Sequence, residues 1–183
     1  MHDIQLDTMS DFYDFYSDLA MSLLSADRLV VDPHLREIKS AISQWDGRLS
    51  PSSTGITLLI HWRNTLAKTL LAPILNECVK MDPLFSYQWR EMETPLRALL
   101  EAGVPSISTA HQYSDWESFL INLMIQSAND LKQSHGVSNI EHLTWKDANK
   151  VVVQHPFSRV EPMASFLLDM PPVPAACDSN CIK

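Results

Sequence analysis

Glycine is scarce, at four residues in 183, which disfavours a fold rich in tight hairpins and suits a helical chain. Cysteine is nearly as rare: Cys78, Cys177 and Cys181 are an odd number and make no disulfide framework. Basic charge is also short. Fourteen Lys and Arg against 22 Asp and Glu leave a formal net charge of −8. That balance argues against a nucleic-acid partner, because phosphate binding needs clustered cations. No run of about 18 uninterrupted apolar residues exists, so nothing reads as a membrane span. The N-terminus, MHDIQLDTMSDF, sets acids where a secretion signal has a basic region and an apolar stretch.

What remains is 45% hydrophobic and carries five Trp, enough for a sizeable core in one domain or one large piece of a bigger one. The chain is organised around residues 44–68, where an apolar run ends at Trp45 and a second begins at Ile56. Asp46-Gly47 is a turn signal, with Gly47 able to close the first helix in a left-handed conformation. The two aromatic ends, Trp45 and Trp62, are expected to pack where the helices meet.

Helical spacing of Phe12, Tyr16, Leu19 and Leu23 predicts a helix over 10–25, with Ser10 as N-cap. Asp3, Asp7, Asp11, Asp14 and Asp18 form an acidic stripe that reads as a solvated face, with a cation site as the sharper alternative. Asp32-Pro33 opens a second helix as N-cap and first helical residue, burying Leu35, Ile38, Ile42 and Trp45. Residues 56–79 form a long helix with Leu59, Ile60, Leu66, Leu70, Ile74 and Cys78 inward, kinked or broken at Pro73. A further helix spans 86–102, with Trp89, Met92, Leu96, Leu99 and Leu100 inward, a restart at Thr94-Pro95 and an end at Gly103. Ser114 and Glu117 form a capping box for a helix that buries Trp116, Phe119, Leu120, Leu123, Met124, Ala128 and Leu131 and closes at Gly136.

After Ile140 the character changes. Residues 150–155, KVVVQH, have the β-branched content and length of a strand. One strand makes no sheet, so its partner is expected in another chain or in sequence outside this one. From Pro156 onward, five Pro and few charges read as ordered coil laid across something. The expected class is mainly α: five to six helices, with at most one or two short strands near the C-terminus. Residues 1–144 form the helical domain, and 145–183 a strand and tail of the same fold.

Chemistry is thin. Seven His occur without a His-Glu-x-x-His or Cys-x-x-Cys pattern, and Cys177-x-x-x-Cys181 reads as free tail thiols rather than a metal pair. His61 reads as a hydrogen-bonded, half-buried helix residue. His155 and Ser158 are close in sequence, but a nucleophile and its base are defined by spatial geometry. No phosphate-binding glycine loop or Gly-x-Ser-x-Gly elbow is present. The residues themselves therefore assign no catalytic, cofactor or metal position.

Three stretches carry a resemblance: residues 4–10 (IQLDTMS), 45–63 (WDGRLSPSSTGITLLIHWR) and 145–178 (WKDANKVVVQHPFSRVEPMASFLLDMPPVPAACD). In this order they resemble the later part of the β subunit of the penicillin acylase family of N-terminal nucleophile hydrolases. The resemblance implies a helical piece, excised from a larger αββα hydrolase of linear amides, in which residues 150–155 supply a strand to the core. It implies that the nucleophilic Ser, its α-amino base and any structural calcium ligands lie in sequence preceding Ile4 or elsewhere. It further implies an inactive piece, partnered by the α subunit and the catalytic part of the β subunit, in the periplasm or secreted. A stand-alone helical interaction module and an inactive acylase paralogue are the alternatives.

Overall fold

The computed structural model describes residues 7–85, 92–103, 115–160 and 165–176. Six helices make the body: α1 (Asp14–Leu23), α2 (Ala26–Val31), α3 (Pro33–Ser43), α4 (Ile56–Met81), α5 (Glu93–Ala102) and α6 (Trp116–His135). A 3-10 turn (Ile140–His142) and the short α7 (Trp145–Ala148) lead to β1 (Lys150–Val151). A second 3-10 turn (Pro156–Arg159), α8 (Ser165–Leu168) and β2 (Val173–Pro174) complete the described chain. The class is mainly α, as expected, and among the described residues there is one two-stranded sheet near the C-terminus.

The α4–α6 pair is the spine. Apolar residues at helical spacing line one face of α6, and Phe119, Leu120, Leu123, Met124, Ala128 and Leu131 are all buried there. They meet Leu59, Trp62, Leu66 and Leu70 of α4 in one core, which α1 joins with Tyr16 and α3 with Leu35, Ile38 and Ile42. Asp32 caps α3 by accepting the His34 N–H, with Pro33 in the first turn, as its sequence predicts.

Several local expectations shift. Ser10 does not cap α1: the helix begins at Asp14 with Tyr13 as N-cap, while the Ser10 N–H donates to the Gly47 carbonyl at 2.9 Å. Gly47 takes a positive φ of 77°, yet α3 closes at Gln44, so Gly47 turns the connection rather than the helix end. Asp115 caps α6 by accepting the Ser118 N–H; Ser114 and Trp89 lie outside the described residues. Helix α5 starts at Glu93, with Thr94 and Pro95 in its first turn; the expected stretch over residues 86–91 lies outside the described residues.

Pro73 does not break α4, which is helical throughout its 26 residues. The core is left behind near that point, because α4 is longer than the 20-residue α6 beside it. Ile74 is therefore 58% exposed and Cys78 is exposed, against the expectation that both are core. Among the described residues, no helix is long and apolar enough to cross a membrane.

The strand expectation needs the largest correction. Only Lys150 and Val151 are strand, and their antiparallel partner is the chain's own tail, with Lys150 opposite Pro174 and Val151 opposite Val173. The Ala175 N–H donates to the Asn149 carbonyl, and the Asn149 side chain donates back to the Ala175 carbonyl. Two short strands leave both faces of the valine run uncovered, so Val151, Val152 and Val153 stay exposed.

Candidate functional site

Three stretches far apart in sequence converge on the connection between α3 and α4. Residues 8–10 pair with it on one side: the Leu49 N–H donates to the Thr8 carbonyl, and Met9 bridges Arg48. The start of α7 pairs on the other: the Trp145 N–H donates to the Ser53 carbonyl, the Lys146 N–H donates to the Pro51 carbonyl, and Thr54 bridges Thr144. Trp45, expected on the buried side of α3, lies beyond its end, only partly buried, and spans the turn by donating its indole N–H to the Arg48 carbonyl, while Trp62 is buried in the core. Thr144 and Asp147 close α7 in a reciprocal capping box. The Thr144 hydroxyl, more than the Lys146 and Lys150 charges, holds the Asp147 carboxyl below the usual carboxylate range. This junction is built from backbone pairing, and its polar side chains brace turns.

A polar cluster has Glu93 at its centre. Its Oε1 accepts from the Tyr16 hydroxyl at 2.8 Å and Arg97 Nε at 2.7 Å, and its Oε2 from Arg63 Nη2 at 2.9 Å. Arg97 also donates to the Phe12 carbonyl and lies over the Phe15 ring at 4.7 Å. Burial, then the hydrogen bond and charge of Glu93, push the Tyr16 phenol far above its ordinary range. Burial works to lower the Arg63 pKa, but the Glu93 hydrogen bond and charge outweigh it and leave it raised. Both shifts keep Tyr16 a neutral phenol and Arg63 a cation, and the cluster ties α1, α4 and α5 together. Glu37 does similar work between α3, α6 and the turn that follows, accepting from Lys132 Nζ at 3.1 Å and from the Ile140 N–H.

The His155–Ser158 pair does not assemble a nucleophile and its base. The Ser158 hydroxyl donates to Asp169 Oδ1 at 2.6 Å, and the same oxygen accepts the His155 N–H at 2.8 Å. His155 Nδ1 accepts the Phe157 N–H, capping the 3-10 turn instead of facing the serine. Hydrogen bonding to Ser158, then to the His155 backbone, lowers the Asp169 pKa. A hydroxyl that donates its hydrogen bond directly to a carboxylate, with no imidazole between, closes a turn. His61 sits half-buried on α4 as expected, and burial lowers its pKa. Cys177 and Cys181 lie outside the described residues.

The acidic stripe is a solvated face: Asp7, Asp11, Asp14 and Asp18 are exposed, and Asp3 lies outside the described residues. Among the described residues, no three His, Cys, Asp or Glu side chains are grouped to hold a metal ion. Sequence reasoning missed Glu93 and Asp169: Arg97 lies one helical turn from Glu93 and was legible, but Tyr16, Arg63 and, for Asp169, Ser158 come from other elements. Thr144-x-x-Asp147 was findable, being a capping-box spacing.

Fold and site together define a mainly helical chain whose charged clusters fasten elements to one another. A family model for penicillin amidase matches residues 1–183, and the chain belongs to the penicillin amidase family, a family of acylase-like hydrolases. Among curated proteins, none matches it.

Proposed function

We propose that this chain is a non-catalytic helical part of an acylase-like hydrolase that cleaves linear amide bonds, and that it is inactive by itself. The observation that carries the reading is the family match across residues 1–183. It is supported by Ser158, whose hydroxyl donates to Asp169 while His155 Nδ1 accepts the Phe157 N–H instead of the serine. The partner in this reading is the remainder of the hydrolase, the α subunit together with the nucleophile-bearing part of the β subunit, in the periplasm or secreted. Its seat is the C-terminal arm. Phe157, Val160, Phe166, Leu167 and Met170 are all exposed there, with Phe166 at 91%, and large apolar side chains left exposed along one segment suit a protein interface.

The test is hydrolysis of chromogenic phenylacetyl and fatty-acyl amides by the purified chain, with circular dichroism confirming its helices. No release above the buffer rate is expected. Robust turnover that disappears in Ser158→Ala would overturn the reading and move the chemistry to the arm.

A further inference from the structure

The hairpin of β1 and β2 has two edges, and they differ. Successive residues of a strand turn their backbone groups to opposite sides. Residues 149, 151, 153 and 155 turn theirs toward the tail. The Asn149 carbonyl accepts the Ala175 N–H, Val151 pairs with Val173, the Val153 carbonyl accepts the Met170 N–H, and the His155 N–H donates to Asp169. Lys150, Val152 and Gln154 therefore turn theirs outward, and among the described residues no backbone hydrogen bond occupies them. On the other side, the outward positions of β2 are Pro172 and Pro174, flanking the inward Val173, and proline has no N–H to offer. One edge is closed and the other open. The open edge runs through Val151, Val152 and Val153, all exposed, with Lys150 its one charge. An unpaired edge of this kind is a template for another strand.

We propose that a second copy of this chain occupies the open edge, joining the two 150–154 segments antiparallel about a two-fold axis at Val152. Outward positions must meet outward positions for the bonds to form, so Val152 faces Val152 of the second copy and Lys150 faces Gln154 of the second copy. Val151 and Val153 then face Val153 and Val151 of the second copy, pairing β-branched side chains across the join. This arrangement holds the two Lys150 ammoniums at opposite ends, whereas a parallel join would set them side by side. Each copy gives and receives the same bonds, as an isologous interface requires. Because Pro172 and Pro174 close the outer edge of β2, the shared sheet ends there and assembly stops at the dimer. Self-pairing uses none of the arm side chains assigned to the hydrolase partner, from Phe157 to Met170.

The test is sedimentation equilibrium of the full chain at concentrations up to about 1 mM. A monomer–dimer equilibrium with a Kd on the order of 0.1 mM is expected. It should tighten as salt screens the net charge of −8 that each copy carries. Val152→Pro removes the central outward N–H and should weaken the dimer about tenfold or more. Val152→Thr, still β-branched, should keep it, and circular dichroism checks that both variants retain their helices. Oxidised glutathione then reads the register. Cα atoms of a hydrogen-bonded antiparallel pair stand about 5.5 Å apart, within disulfide reach, so Val152→Cys should give a dimer linked from 152 to 152 by peptide mass mapping. In Val151→Cys and Val153→Cys the matching positions lie diagonally at about 7–8 Å, and self-linkage should not form. A chain still monomeric at about 1 mM, a dimer unmoved by Val152→Pro, assembly past the dimer, or linkage at 151 or 153 in place of 152 would overturn the proposal.

Discussion

Gly55 offers the sharpest test of how the helices are fitted together. It precedes α4 with φ 74° and ψ −38°, a region that L side chains rarely enter. A Cβ added there would stand 2.3 Å from the Ala41 carbonyl oxygen, 3.0 Å from its carbon and 3.1 Å from the Ile42 Cα. All three are backbone atoms of α3, so no side-chain rotation relieves the clash. Gly136, at φ 65° beyond α6, has nothing within 4 Å of its virtual Cβ. Gly136→Ala therefore measures the conformational cost alone, about 1 kcal/mol. Gly55→Ala adds the overpacking term, for a total of about 3 kcal/mol. At about 2–4 °C per kcal/mol for a chain of this size, Gly136→Ala should lower Tm by about 2–4 °C and Gly55→Ala by about 6–12 °C. Urea denaturation followed by circular dichroism at 222 nm would give the same order in free energy. Equal losses in the two variants would refute the argument that α4 enters the body through a backbone-to-backbone contact with α3.

Glu93→Gln should cost about 2–3 kcal/mol in urea denaturation, since Arg63 and Arg97 lose their counter-charge in a site where Glu93 is only 21% exposed; a loss under about 0.5 kcal/mol, the range of a surface substitution, would show the cluster to be incidental. Burial holds His61 below its ordinary value of 6.5, so the folded state resists taking up the proton. Stability is full above pH 6.5 and falls as the pH drops through the lower folded value; His61→Gln should flatten that fall, and an NMR titration midpoint at or above 6.5 would contradict it. Asp169→Asn should leave the melting of the helical body unchanged while raising the hydrogen-exchange rates of the His155 and Met170 amides, because the clasp it forms serves the arm alone.

The helical class and most inward faces were legible from spacing. Tyr16, Leu35, Ile38, Ile42, Leu66, Leu96 and Phe119 all point where a 3.6-residue repeat sends them. Asp32-Pro33 was legible because a cap acts within two residues of itself. Spacing failed where length decided. The period that buries Leu66 and Leu70 continues through Ile74 and Cys78, but by then α4 has left the core, and periodicity carries no information about where a neighbour ends. The strand partner was misplaced for a related reason. A run of valines shows that a segment suits a sheet, while Val173 lies 22 residues from Val151 and announces nothing.

The sequence by itself determined the helices, several of their caps and, through motifs spread along the chain, the family, because each of these is written in neighbours a few residues apart or in residue identity alone. Only the tertiary structure decided that Glu93 would gather Tyr16, Arg63 and Arg97, and that Ser158 would answer to Asp169 rather than His155. Those meetings depend on where whole helices and turns come to rest, and the packing that brings them to rest is a property of all the buried surfaces at once.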